Sequence, residues 1–509
     1  MLPRCDSALT GDHFEGSCEA DMQHPSSCLS LRLATNVTLL LGIVAAGQLA
    51  LEYWPGRTFD SATSGVWMSL AVDYAEGVLY RPLLGDMGYG GTRYMPLFFM
   101  IHGSLIRLFG NPTMTGVLLM QASVLLMIAA MARLLVLNGV PRALSWGFAA
   151  ITVCTSLYQQ YLTGLNCDYL AAALSLWGLT FYLRKDPSPT RDAVGKALGL
   201  LLFVLAFYTK FSTVYAPSAV FLSLVLQRQW RAAAIFSIAA LFLIAVFAAT
   251  FVALSDGRMI QSLAATATGG TDLAFATGML RRFAKELAFF NPAVGVCFLL
   301  ALAKWTVDAP THWRSPLHLT FVMVTLVTIV TFSSRGIAGN HAIPLNAVSL
   351  VLAGTAFSGR RIERQVLAGG FATLSLILIA CWTPGVPSPL KTIRADNNPT
   401  VFEIRAEIAR WLPDNGLLAS TNPSYAIVAG KTPFLIDYFS LKTFIRTGDP
   451  AGMDFLARIK ARDFDVLINF NPNARWTPQD GESVALSNHY VAVDTLHGGT
   501  ILIPRTATQ

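Results

Sequence analysis

From about residue 33 to residue 383 the chain repeats one pattern, an apolar run followed by a short polar turn. Each run is about 20 residues long, enough for a helix to cross a hydrocarbon core of ~30 Å. Inside lipid only helices and closed barrels satisfy their own backbone hydrogen bonds, so runs of this length predict a helical bundle. Candidate spans fall at 33–51, 114–134, 143–161, 168–184, 195–210, 213–227, 231–254, 286–303, 316–332, 341–357 and 365–383, about eleven in all. Composition agrees: 53% of the 509 residues are hydrophobic and 13% charged, against about 25% charged in soluble domains. The net charge of +7 needs no nucleic acid, because cations held at the cytoplasmic ends of helices produce the same excess.

Short loops orient the bundle. Arg133 and Arg142, then Arg184, Lys185, Arg191 and Lys196, fall on one side. So do Arg228 and Arg231, Lys304 and Arg314, and Arg360, Arg361 and Arg364. Short loops on the other side hold Lys210 and Arg335. The positive-inside rule then predicts a cytoplasmic N-terminus and a C-terminal domain outside; in a multi-pass protein of a bacterial inner membrane, the location expected here, that domain is periplasmic. The same topology in a eukaryotic secretory membrane would face a lumen.

Three segments are expected: a disordered cytoplasmic tail (1–30), a membrane domain (31–383) and a small soluble α/β domain (384–509). The tail lacks the apolar core of a signal peptide, and 33–51 reads as a retained helix. Two outer loops are long. The first, 52–112, contains an amphipathic stretch at 94–110 that suits a helix lying at the interface. The second, 255–285, has the Gly/Thr-rich centre of a mobile loop, with Thr266, Thr268, Gly269, Gly270 and Thr271. After the prolines at 384, 387 and 389, helices are predicted at 403–412 and 451–461. Strands are predicted at 417–420, 426–428, 434–436, 466–470 and 500–503. Cys5, Cys18, Cys28, Cys154, Cys167, Cys297 and Cys381 show neither CxxC nor metal-ligand spacing, so a disulfide framework is not expected.

Ionisable groups gather on the outer side: Asp60, Asp73, Glu76, Arg81, Asp86 and Arg93 in the first loop, then Asp168, Lys210, Arg335 and His341. Each alone could sit in headgroup water; together they read as a site. Asp60, opening a polar segment after the first helix, is placed to act as a general base toward an acceptor hydroxyl. Asp168 enters a helix, where its ordinary role would be an N-cap. Arg81, Arg93, Lys210 and Arg335 are the cations available to a lipid-phosphate leaving group, on whose oxygens charge builds as a glycosidic bond breaks.

At these residues the sequence resembles the GT-C superfamily of membrane glycosyltransferases, in particular the branch that includes aminoarabinose and protein-mannosyl transferases. The resemblance runs in order through Phe59-Asp60, Gly77-Val78-Leu79-Tyr80-Arg81-Pro82 and Arg93-Tyr94-Met95-Pro96-Leu97. It continues through Asn166-Cys167-Asp168-Tyr169-Leu170, Tyr208-Thr209-Lys210-Phe211 and Gly336-Ile337-Ala338-Gly339-Asn340-His341. Its last parts are Ala429-Gly430-Lys431-Thr432-Pro433-Phe434 and Phe464-Asp465-Val466-Leu467-Ile468.

The resemblance implies inverting transfer of a sugar from a polyprenyl-phosphate donor to a lipid, glycan or protein acceptor. Asp60 would be the base and Asp168 its support, with Tyr80, Tyr94, Asn340 and His341 binding substrate. Where aminoarabinose-type members carry Lys before a Pro-Pro pair, this chain has Tyr94-Met95-Pro96, which leaves the phosphate contact to Arg93 or another cation. Ser61 stands where Glu often follows the first Asp. Only some of the superfamily require a divalent metal, and the sequence itself demands none. A transporter or flippase would carry its charges within broken spans. An O-antigen ligase or polymerase places its long loop late in the chain. A partner-binding scaffold would leave the outer charges unexplained.

Overall fold

The computed structural model describes residues 61–154, 164–267, 272–334, 339–358, 400–470, 481–496 and 499–505. The expected first and last spans, the tail, the Pro-rich linker, Asp60 and Arg335 lie outside those residues.

Helix α1 (Ala62–Ala75) opens the described chain and packs against α2 (Pro96–Phe109). Gly103 permits that approach, since a Cβ there would sit 2.5 Å from the Ala71 carbonyl oxygen. Pro112 starts α3 (Pro112–Leu137), where the Asn111 side chain accepts from the Thr113 and Met114 amides at 3.0 Å. Asn at the cap followed by Pro is the combination that best begins a helix. The short α4 (Arg142–Ala150) leads to α5 (Asp168–Leu183) and α6 (Pro189–Thr209). Added Cβ atoms at Gly178 and Gly199 would each meet the other's carbonyl oxygen, at 3.0 and 2.7 Å. Small residues facing one another let two membrane helices touch backbone to backbone.

The bundle continues with α7 (Tyr215–Leu226) and α8 (Trp230–Leu254). Ile235, Ile238, Leu241 and Phe242 of α8 are each about two-thirds exposed, the mark of a face that meets lipid. Next come α9 (Arg258–Thr266), α10 (Leu273–Lys285), α11 (Pro292–His312), α12 (Pro316–Phe332) and α13 (Ile343–Thr355). Among the described residues, α3, α6, α8, α11 and the segment Gly339–Ser358 are long and apolar enough to cross a membrane. The expected spans from 114–134 to 341–357 all fall on helices, 143–161 only as far as the described residues reach.

The second outer loop differs from its expectation. Thr266 of its Gly/Thr centre ends α9 and 268–271 lie outside the described residues, but the flanks are the helices α9 and α10. Ala276, Met279 and Phe283 of α10 point inward at helical spacing, and the Asp272 side chain caps the helix by accepting from the Phe275 amide.

The C-terminal part is α/β, as expected, with a four-stranded sheet. Its elements are α14 (Val401–Trp411), β1 (Leu418–Ser420), α15 (Ser424–Val428), α16 (Tyr438–Thr447) and α17 (Pro450–Ala461). They are followed by β2 (Val466–Ile468), α18 (Gly481–His489), β3 (Tyr490–Leu496) and β4 (Gly499–Pro504). The strand order is β1-β2-β4-β3, with β1 parallel to β2 and the other pairs antiparallel. Two expected strands are not strands. Residues 426–428 belong to α15, and 434–436 form an isolated bridge in which Leu435 pairs with Tyr89 of the first outer loop.

That bridge seats the C-terminal domain on the membrane domain. The Tyr89 amide donates to the Phe434 carbonyl at 2.8 Å and the Ile436 amide donates to the Tyr89 carbonyl at 3.2 Å. The Tyr89 ring is fully buried, edge-on to Phe434 and Phe455, and its hydroxyl donates to Asp454 at 2.6 Å. Gly88 makes the approach possible. Its φ is +93°, and a Cβ there would sit 2.0 Å from the Phe434 carbonyl oxygen. Gly88→Ala is therefore expected to cost about 1–3 kcal/mol in backbone strain, with a clash added. Limited proteolysis should show the C-terminal domain released at lower protease concentration than in the wild type.

Candidate functional site

The α5–α6 pair brings two charges together where their ends meet the segment before α13. Asp168 is the first residue of α5, and its side chain is 1% exposed. One carboxylate oxygen accepts from the Lys210 ammonium and the other from the Asn340 amide at 2.8 Å. The Asp168 backbone amide donates to the Asn166 side chain at 3.0 Å. Asp168 is thus not the N-cap that its position suggested: Cys167 occupies that place, and the carboxylate turns to partners from two distant segments. A helix N-terminus also favours negative charge there.

Lys210 reaches the site because α6 stops at it. Its backbone is extended (φ −154°, ψ 122°) between α6 and the 3-10 turn Phe211–Val214. The Lys210 carbonyl accepts from the Thr213 hydroxyl at 2.8 Å, which fixes the break. Its ammonium is paired with Asp168, and the side chain as a whole is 13% exposed. Asn340 and His341 lie in the 3-10 turn Gly339–Ala342 that leads into α13. The His341 ring is close enough to feel the charges of Lys210 and Arg93, and its Nδ1 is buried with no hydrogen-bond partner among the described residues.

Arg93 and Tyr94 approach from the first outer loop. Tyr94 stacks on Trp67 of α1 at 4.3 Å between ring centroids. Burial pushes the Tyr94 hydroxyl well above its ordinary value, Asp437 adds to the rise and Arg93 opposes it. The Arg93 guanidinium lies over the Phe439 ring, 4.4 Å from its centroid. The structure therefore brings Asp168, Lys210, Asn340, His341, Arg93 and Tyr94 to one region from the first loop, α5, α6 and the α13 approach.

Tyr80 and Arg81 have other partners. Tyr80 is buried in a left-handed backbone conformation (φ 61°), and its hydroxyl donates to the Tyr94 carbonyl at 2.7 Å. It shapes the loop that carries Tyr94. The Arg81 side chain is 1% exposed and pairs with Asp73 at 2.5 Å. It also donates to the Met87 carbonyl at 2.8 Å and the Pro433 carbonyl at 2.5 Å. Its guanidinium closes the loop onto the C-terminal domain, an employment different from the phosphate contact expected of it. Sequence reasoning passed over Asn166 as a helper of Asp168, and over Asp437 and Phe439 altogether. The Asp-Tyr-Phe-Ser run at 437–440 signals only a helix start.

Among the described residues no cluster of three or more His, Cys, Asp or Glu is placed to hold a metal ion. Sequence comparison finds no matching family model and no matching curated protein. Comparison of the fold does find likenesses. ArnT from Cupriavidus metallidurans bound to undecaprenyl phosphate superposes with a TM-score of 0.61 at 11% identity, over 92% of this chain and 98% of that one. Its apo form gives 0.52 over 91% and 97%. The fold is the GT-C fold. The apo oligosaccharyltransferase of Archaeoglobus fulgidus shares it too, with a TM-score of 0.54 at 11% identity over 92% of this chain and 74% of that one. At such identities the GT-C likeness is one of architecture, carried by a chain whose residues are almost wholly its own.

The buried Asp73–Arg81 pair makes stability depend on pH. Burial pushes the Asp73 carboxyl up to about 6 against the lowering pull of Arg81, and Glu76 adds to the rise. The folded chain then holds a proton on Asp73 more tightly than the unfolded chain between about pH 4 and about pH 6. Stability contributed by this group is present at the acid end of that window and declines as pH rises through it, by ~3 kcal/mol at most. Thermal unfolding in detergent should show this slope in the wild type and a flatter one in Asp73→Asn.

Proposed function

We propose that this chain is a membrane glycosyltransferase that moves a sugar from a polyprenyl-phosphate donor to a lipid, glycan or protein acceptor, with inversion. The observation that carries the reading is the Asp168–Lys210–Asn340 cluster with Arg93 beside it, at helix ends near the docked C-terminal domain. The fold likeness supports it, since one protein of this architecture holds undecaprenyl phosphate. Basic short loops support a site and a C-terminal domain facing away from the cytoplasm, which in the proposed bacterial inner membrane is the periplasmic side.

The reaction follows from the charges. An acceptor hydroxyl attacks the anomeric carbon from the face opposite the phosphate. The new glycosidic bond forms as the bond to the phosphate oxygen breaks, and the bonding pair leaves with the polyprenyl phosphate. Asp60 takes the hydroxyl proton. The departing phosphate gains negative charge during the step, so cations already in place stabilise the transition state more than the ground state. Lys210 and Arg93 supply them, with Arg335 as a further candidate. Asp168 and Asn340 hold Lys210 in orientation, and Tyr94 and His341 line the substrate's path.

Membranes carrying the chain should transfer radiolabel from a polyprenyl-phosphate sugar, and Asp60→Asn should slow transfer by about 10²–10⁴-fold at equal expression. Unchanged transfer in that variant removes Asp60 from the mechanism, while no transfer from any polyprenyl donor removes the enzyme class. Lys210→Met strands a buried carboxylate and is expected to cost about 3–5 kcal/mol of stability along with activity. Lys210→Arg should restore stability measured by thermal unfolding; if Lys210→Met unfolds like the wild type, the ion pair is not what holds these helix ends.

A further inference from the structure

Arg93 belongs to the first outer loop, yet its nearest described neighbours include the C-terminal domain. Helix α16 begins at Asp437, whose carboxylate accepts from the Phe439 amide at 3.0 Å and the Ser440 amide at 3.4 Å. The Ser440 hydroxyl donates to the other oxygen at 2.8 Å. Asp437 is 5% exposed. Two residues along, the Phe439 ring lies beneath the Arg93 guanidinium at 4.4 Å. The carboxylate and the guanidinium also act on one another through space: burial raises the Asp437 carboxyl, the Ser440 hydroxyl lowers it, and so does Arg93. Arg93 also interacts with the Tyr94 hydroxyl, and its charge, like that of Lys210, acts on His341.

An arginine has many rotamers to lose, and a planar fork binds phosphate in two-point fashion best when its orientation is fixed beforehand. A ring beneath the guanidinium and a carboxylate held by three hydrogen bonds fix it. We propose that Asp437 and Phe439 are positioning residues for the donor-phosphate site, holding the Arg93 fork toward the Asp168–Lys210 cluster and making the C-terminal domain one wall of that site. The inference rests on the donor-phosphate reading of Arg93 given above and adds to it a contribution from a second domain.

The test uses the full-length protein in detergent, with undecaprenyl phosphate as the binding probe and radiolabel transfer as the kinetic readout. Asp437→Asn is chosen because Asn caps a helix as well as Asp does, so the charge is lost and α16 is kept. Phe439→Leu removes the ring face at similar bulk. Each is expected to weaken undecaprenyl phosphate binding and raise KM for the donor by about tenfold, with kcat changed less than about twofold. In an Arg93→Ala background, itself weakened, neither substitution should weaken binding further. Binding unchanged or tightened in Asp437→Asn overturns the proposal, as does an equal loss with and without Arg93. If Arg93→Ala binds undecaprenyl phosphate like the wild type, the donor-site reading of Arg93 falls first and this inference with it.

Discussion

A carboxylate withdrawn from water must have its lone pairs answered, and the arrangement of this bundle follows from how Asp168 is answered. Apolar side chains distinguish poorly between a neighbouring helix and lipid, so they do not by themselves fix which helix ends meet. Asp168 does. Its two oxygens take Lys210 from the end of α6 and Asn340 from the approach to α13, and neither partner could be replaced by a lipid tail. The glycine contact between α5 and α6 brings the backbones close enough for the pairing to form.

The C-terminal domain is held by polar contacts of the same kind. Arg81 links Asp73 of α1 to the Pro433 carbonyl of the domain, while the Tyr89 strand pairs with residues 434–436. Gly65 of α1 is the second close approach: a Cβ there would sit 2.2 Å from the Asn422 side-chain oxygen. A domain tied at several points to one short loop moves with that loop. Arg93 lies within the same loop, so whatever sets the domain's seat also sets the position of this cation relative to Lys210.

Most of the helical architecture was legible in the sequence because hydropathy over about 20 residues is a strong signal that local chemistry rarely contradicts. The soluble domain's class was legible for the same reason, through buried β-branched runs such as Val466–Ile468. What failed was short or long-range. Residues 426–428 are apolar enough for a strand, yet the Asn422–Ser424 turn, in which Asn422 accepts from the Ser424 amide and hydroxyl, starts a helix there. Helices α9 and α10 hid behind a Gly/Thr run. Helix α1 hid because its buried face mixes Ser64, Ser69 and Asp73 with Val66, Trp67 and Leu70. The cluster's members were visible as charges near one interface, but their pairing joins residues 42 and 172 positions apart, and Arg81 could not be sorted from Arg93 without knowing that Asp73 turns inward.

Under the proposed function Lys210 meets the donor phosphate with its charge already answered by Asp168, and the pairing is compatible with that role. An ammonium has three donors, Asp168 engages one, and the Lys210 side chain is 13% exposed. A cation left unpaired at that depth bears the full cost of desolvation. Asp168 answers it with one oxygen, while the Asn340 amide donates to the second. Under the proposed function, the field felt by an incoming phosphate comes from the pair together with Arg93, and a monoester dianion would be held more strongly than a diester, the preference needed by a step whose leaving group gains charge as its bond breaks.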